Sequence, residues 1–264
     1  MSTYDPIITA VKTDFWTKAA QGGIVLAIIC IGSFYTGLLD IERLNEGIPS
    51  IVLLMKESFP PDFSDALSWI GPILDSLAMS IAGTALAILI SLPLAFLAAK
   101  NTTPNATIYQ IARAVLNGLR SVPELIMGIL FVAAVGFGAL PGVLALGLHS
   151  IGMVGKFFAE SIEHVSDGPV EAVKSTGASP MQIILHGVLP QVMSQIADVS
   201  LYRWEYNFRA STVMGMVGAG GIGFELMASL RLMQYQQVSA ILLLILLMVT
   251  LVDSLGARLR SHFK

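Results

Sequence analysis

The chain reads as an all-α integral membrane protein, a bundle of six spanning helices. Three observations predict it. First, 55% of its 264 residues are hydrophobic and only 12% are charged, with mean hydropathy +0.75. Soluble domains carry about twice that charged share. Second, apolar runs close to the ~20 residues needed to cross a bilayer recur along the chain. Third, Lys and Arg gather in alternate connecting segments, as they do when spans thread back and forth.

The spans are expected at about 20–39, 77–99, 121–138, 143–164, 191–213 and 237–256. The first could pass for a signal peptide, but no small-residue cleavage site follows it and an acidic segment does. It is read as a retained anchor. Segment 40–75, with Asp40, Glu42, Glu46, Glu57, Asp62, Asp65 and Asp75, is read as an external loop. Within 107–119, Ile108, Ile111, Val115 and Leu119 share one helical face, so this stretch lies along the membrane or extends the third span. Ser121-Val122-Pro123-Glu124 reads as a capping box restarting the helix. Glu124 is read first as that helix start and second as a substrate contact. Ala139-Leu140-Pro141-Gly142 is expected to be a tight turn between the third and fourth spans.

A polar hairpin follows. Asp167 is positioned to cap a short helix with Pro169 early in it and Gly177 past its end. Ser179 then starts a second, with Pro180 at its first position and Gln182 completing a capping box. The organisation is thus 1–75 for the N-terminal segment, first span and acidic loop, 76–256 for a membrane domain containing hairpin 167–190, and 257–264 for a basic tail.

Charge sets the orientation. Segments 1–19, 100–120, 165–190 and 257–264 hold Lys12, Lys18, Lys100, Arg113, Arg120, Lys174, Arg258, Arg260 and Lys264, against Arg43, Lys56 and Arg231 on the other side. Both termini and the hairpin are therefore expected in the cytoplasm. A capped polar hairpin on that side is positioned to meet a partner.

Several chemistries are excluded. Net charge −3 gives no support for a nucleic-acid partner. The single Cys30 rules out an internal disulfide or a cysteine metal cluster. No metal site is expected. No Walker A loop is present, since Phe157 follows Gly155-Lys156 and Ser150 stands where the first glycine belongs. His149, His164, His186 and His262 have no catalytic spacing, and no catalytic residue is assigned. Gly218-Ala219-Gly220-Gly221-Ile222-Gly223 matches GxGxxG but follows a span rather than a strand. Gly218, Gly220, Gly221 and Gly223 are read instead as a gate or re-entrant turn.

The fifth span carries Asp198, Arg203, Glu205 and Arg209. Charge at membrane depth must face protein or water. Glu205 and Arg209 are spaced to pair within the helix, as are Lys156 and Glu160 in the fourth span. The functional alternative is a substrate pathway of Arg203, Glu205 and Arg209 for an anion, since guanidinium matches oxyanion geometry. On that reading Arg209→Ala cuts uptake while leaving assembly intact.

Five runs carry a resemblance. Glu171-Ala172, Gly177 and Leu189-Pro190 resemble the EAA signature of binding-protein-dependent ABC importer permeases, the hairpin that docks on an ATPase. LYRWEYNFRASTVMGMVGAGGIGFEL from Leu201 to Leu226, with SVPE at Ser121, LHSIG at Leu148 and FFAESIEHV at Phe157, makes the chain resemble the phosphonate ABC importer permease family over about 76–256. Val173 and Gly187 depart from the usual alanine and isoleucine.

The resemblance implies a type I ABC importer permease fold, MetI-like, in a bacterial cytoplasmic membrane. It implies a second permease copy in a homodimer, two cytoplasmic ATPase subunits holding ATP and Mg, and a periplasmic or lipid-anchored binding protein. This chain itself would hold no cofactor. The expected cargo is phosphonate, phosphite or a related phosphorus oxyanion. Another small solute on the same scaffold, or a non-transporting assembly subunit, are the competing readings.

Overall fold

The computed structural model describes residues 5–262, and every regular element among them is helical. The chain divides into two compact units, one up to Glu57 and one from Ser58.

The first unit holds α1 (Asp5–Tyr35) and α2 (Ile41–Glu57). The segment expected to be an acidic loop is therefore largely helical. Gly37, at φ +75°, turns the chain, and Asp40 accepts the Arg43 N–H at 3.1 Å to start α2. Ile48, Ile51, Val52 and Met55 recur at i, i+3, i+4 and i+7, an amphipathic stripe that the scattered charges hide.

The second unit holds α3 (Ile70–Ala98), α4 (Ala106–Ser121), α5 (Glu124–Val135), α6 (Ala139–Glu163), α7 (Asp167–Ser175), α8 (Pro180–Ile183), α9 (Leu189–Met214), α10 (Ile222–Arg231) and α11 (Tyr235–His262). Helix α3 lies along α6, and α9 packs on both. Small residues let the backbones approach. A Cβ at Gly152 of α6 would sit 2.6 Å from both Arg120 N and Leu116 O of α4. At one end Phe158, Ile162 and Leu116 are fully buried with Val188 and Val192. Met79, Leu146 and Met214 form a second core. Trp69, Ile222 and Ile241 form a third.

Among the described residues, four helices are long and apolar enough to cross a membrane: Phe15–Tyr35, Ile70–Ala98, Ala139–Glu163 and Tyr235–Ser261. Two bent pairs bring the number to six when each counts as one span: α4 with α5 at 83°, and the segment Pro180–Ala219 with α10 at 57°.

Several local expectations are corrected. The third span is not a continuous helix over 121–138, because α5 has only 12 residues, about 18 Å at 1.5 Å each. Its start is not a capping box: Ser121 Oγ donates back to Gly118 O at 2.8 Å, and Pro123 takes the cap position. Ala139–Gly142 is not a turn but the first turn of α6. The bend lies before it, at Gly136 (φ +89°) and Gly138 (φ +126°). Ser166, not Asp167, stands at the α7 cap position. Residues 257–262 continue α11 rather than starting a separate tail.

Candidate functional site

Thr84 of α3, Ser150 of α6 and Arg203 of α9 lie near the middles of their helices, each roughly 16–21 Å from either end at 1.5 Å per residue. They are joined by one polar chain across the bundle. Arg203 Nε donates to Ser150 Oγ at 2.7 Å, and Ser150 donates to Asn207 Oδ1 at 3.1 Å. Asn207 Nδ2 donates to Thr84 Oγ1 at 2.8 Å, and Thr84 donates to Ser80 O at 2.7 Å. Ser150, Arg203 and Asn207 are buried, Arg203 with 5% of its surface exposed. A buried cation is tolerated only where polar groups and an opposite charge surround it.

The opposite charge is Glu124, at the start of α5. The α4–α5 break explains its presence. Pro123 lacks an N–H and cannot extend the α4 ladder, so the chain turns and α5 opens inside the bundle. Irregular backbone at membrane depth is tolerated where protein satisfies it. Here the Val122 carbonyl is 3.1 Å from His149 Nδ1 of α6. Glu124 Oε1 accepts the Tyr206 hydroxyl at 3.0 Å. Its Oε2 lies 3.7 Å from Arg203 Nη2 and 4.0 Å from His149 Nε2. The Arg203 guanidinium stacks 4.3 Å from the Tyr206 ring centre. Arg203 Nη2 and Glu124 Oε2 are buried without a hydrogen-bond partner.

The three residues singled out as a pathway do not face one way. Arg203 and Tyr206, at i and i+3, look toward α5 and α6. Glu205 and Arg209, at i and i+4, look toward α11. The expected Glu205–Arg209 pair within the helix is not formed. Glu205 instead accepts from Arg260 Nη1 at 2.5 Å, and Arg260 Nε also lies 3.9 Å from Asp198. Arg209 Nη1 donates to both oxygens of Asp253, at 2.7 and 3.0 Å. The Lys156–Glu160 pair is present at 3.5 Å.

Sequence reasoning missed the constellation around Glu124. A signal was available: it is the only carboxylate between Lys100 and Glu160, in a run otherwise apolar enough to span. Nothing in the sequence paired it with Arg203, 79 positions away.

The glycine run forms a sharp backbone turn. Helix α9 loosens into a π turn over Gly215–Ala219, and Gly218, Gly220 and Gly221 take φ of +103°, +74° and +74°. That conformation is open to glycine at little cost. Gly138 N–H donates to Gly218 O at 3.3 Å, and Ile222 N–H donates to Ser76 Oγ at 3.0 Å. Gly223, in the first turn of α10, is pressed on the Thr212 backbone.

At the opposite end, α7 carries Glu171 and Ala172, both exposed. Gly177 takes φ +77° just past the helix end. Ser179 N–H donates to Gln182 Oε1 at 2.8 Å, one arm of the capping box. The chain then passes through a π turn, Ile184–Val188, into α9, which opens with Leu189 and Pro190. Gly187 is buried there. A Cβ would sit 3.3 Å from Val170 Cα, so the glycine lets α7 lie close against this turn. Gln191 ties the hairpin to α9: it accepts from Ser166 N at 3.0 Å and donates to Ser166 O at 3.3 Å and Gly187 O at 2.6 Å.

The chain is 66% identical to the phosphite transport system permease protein PtxC of Stutzerimonas stutzeri, over 98% of this chain and 94% of that one. It is 44% identical to the phosphate-import permease protein PhnE of Mycolicibacterium smegmatis, over 82% of this chain and 41% of that one. Among solved structures, a chain of the inward-facing MetNI methionine ABC transporter superimposes with TM-score 0.67 at 21% identity, covering 76% of this chain and 99% of its own. That likeness shows the type I permease fold. The sequence profile of the binding-protein-dependent transport system inner membrane components matches residues 91–264. The profile match over 91–264 and the 66% identity over nearly the whole chain show that the chain belongs to the family of binding-protein-dependent transport system inner membrane components.

Proposed function

We propose that this chain is the translocation subunit of an ATP-driven importer of phosphite, phosphonate or a closely related phosphorus oxyanion. The observation that carries the reading is the 66% identity to a phosphite permease over nearly the whole chain. The mid-height site supports it. Arg203 is a buried guanidinium with a free donor, suited to an oxyanion. Glu205 and Arg209, engaged by Arg260 and Asp253, serve to hold α9 on α11 instead.

The rest of the machine follows. The hairpin with Glu171, Ala172, Gly177, Leu189 and Pro190 docks on a cytoplasmic ATPase, and the Lys/Arg bias puts both termini on that side. Two ATPase subunits hold ATP and Mg. A second copy of this chain completes the pathway, and a binding protein delivers cargo at the opposite face. The turn at Gly218, Gly220, Gly221 and Gly223 acts as a gate. ATP binding and hydrolysis switch the site between the two sides.

The test is uptake by proteoliposomes containing the complex with its ATPase and binding protein. ATP-dependent phosphite uptake, reduced by competing phosphonate, is the expected result. ATPase activity stimulated by the loaded binding protein without uptake of any phosphorus oxyanion would overturn the reading.

A further inference from the structure

Two buried atoms of the mid-height site lack partners, and they are complementary. Arg203 Nη2 has protons to give and Glu124 Oε2 has lone pairs to receive them, yet 3.7 Å separates them, beyond hydrogen-bond range. Each group makes one hydrogen bond through another atom, but a buried charged atom left unpaired is costly, so these two atoms favour a partner that bridges them. The neighbouring groups are already engaged. Arg203 Nε gives to Ser150, Tyr206 gives to Glu124 Oε1, and His149 Nδ1 meets the Val122 carbonyl, while His149 Nε2 stands 4.0 Å from Glu124 Oε2, out of hydrogen-bond range. What remains is one charged donor beside one charged acceptor.

A fully deprotonated oxyanion satisfies only the donor and meets the Glu124 charge. An oxyanion that keeps one acidic O–H satisfies both. One of its P–O oxygens accepts from Arg203 Nη2, and its P–O–H donates to Glu124 Oε2. Charge points the same way. Arg203 and Glu124 cancel, so a monoanion brings one net negative charge to membrane depth and a dianion brings two. The other titratable groups near the pair are Tyr202 and Tyr206 of α9 and His149 of α6, while α3 contributes the uncharged Thr84. The pair is closed in this structure, and admission requires α5 and α9 to part.

Building on the proposed function, we infer that the pathway passes phosphorus oxyanions in their singly protonated form and that Glu124 selects for the proton. This makes Glu124 a specificity-determining residue and Arg203 its cationic counterpart.

The experiment is phosphite uptake by the complete reconstituted complex across the second ionisation of phosphite. Binding-protein occupancy and basal ATPase activity are measured at each pH and divided out. Wild-type uptake is expected to fall about tenfold per pH unit above that ionisation, the slope of a single required proton. Glu124→Gln, which keeps the shape but loses the charge, is expected to flatten that fall. A wild-type profile independent of pH would overturn the inference, leaving Glu124–Arg203 as a structural ion pair. So would a Glu124→Gln profile parallel to wild type. If the variant fails to assemble, wild-type uptake of an alkylphosphonate, whose second ionisation lies above that of phosphite, decides: the fall must move to higher pH with the substrate, and a fall at the same pH for both would assign it to His149 and overturn the inference. Absence of phosphite uptake at every pH, despite active ATPase and loaded binding protein, would instead count against the proposed function.

Discussion

Arg203 and Arg209 are six residues apart on one helix and have opposite circumstances. Arg209 is about two-fifths exposed and gripped by both oxygens of Asp253. Arg203 is buried, shares one hydroxyl and one aromatic face, and keeps a free nitrogen. Arg203→Ala should abolish uptake, and it should lower stability by roughly 3 kcal/mol because Glu124 is left as an unpaired buried charge. Arg203→Lys should recover much of that stability but little uptake, since a point charge cannot reach Ser150 and an oxyanion together. Thermal unfolding in detergent and uptake in proteoliposomes separate the two effects. Equal stability of Arg203→Ala and wild type would show that the charge is not buried as described. A residue with no side chain is equally constrained: the Gly152→Ala methyl meets two backbone atoms of α4, neither of which can swing away. It should cost about 1–3 kcal/mol, read as a lower unfolding temperature. At this scale the sequence revealed that Arg203 is anomalous, because charge in an apolar span is visible in one dimension. It could not reveal which carboxylate answers it, because that depends on how two helices are rotated about their axes.

At the scale of elements, α9 has two working faces. One contributes Arg203 and Tyr206 to the mid-height site, and the other contributes Glu205 and Arg209 to α11. Gly256 of α11 leaves the space that the Glu205 carboxylate fills on its way to Arg260. If the Arg209–Asp253 contact is structural, exchanging the charges should restore what each single change removes. Arg209→Asp and Asp253→Arg should each lower the unfolding temperature, and the double variant should recover most of it, a coupling of about 0.5–3 kcal/mol. Uptake that stays lost in a stable double variant would return Arg209 to the pathway. The long helices α3, α6 and α11 were legible because length and apolar content alone define them. The α4–α5 break was not. Ser121-Val122-Pro123-Glu124 has the composition of a helix start, and composition does not say that the new helix leaves at 83°. Helix α2 was hidden for a different reason: its stripe is short, and its charges and Pro49 mimic a loop.

At the scale of the whole molecule, the proposed coupling needs a route from the hairpin to Arg203. Helix α9 is the direct connection, because it opens at Leu189 beside the hairpin and carries Arg203 fourteen residues on. A lever works only if its handle is fixed to it. The join is a π turn, where the regular ladder is interrupted and bending is easiest. Gln191 compensates with three hydrogen bonds, two to the Ser166 backbone at the root of the hairpin and one to the Gly187 carbonyl inside the turn. Gly187 adds close packing of α7 on that turn. The sequence made the hairpin recognisable through its caps, but the strut was invisible, since Gln191 reaches 25 positions back. Gln191→Ala should leave the fold and hairpin docking intact, as each exposed or half-buried hydrogen bond contributes only about 1 kcal/mol. It should nevertheless lower the uptake obtained per ATP hydrolysed, because motion of the hairpin would be absorbed at the turn. Glu171→Lys should act one step earlier, weakening capture of the ATPase by the permease. Copurification with the ATPase and the ratio of uptake to hydrolysis, measured on both variants, distinguish the two positions. Gln191→Ala should keep the first and lose the second, while Glu171→Lys loses both. A Gln191→Ala complex that transports at the wild-type ratio would mean that α9 follows the hairpin through packing alone.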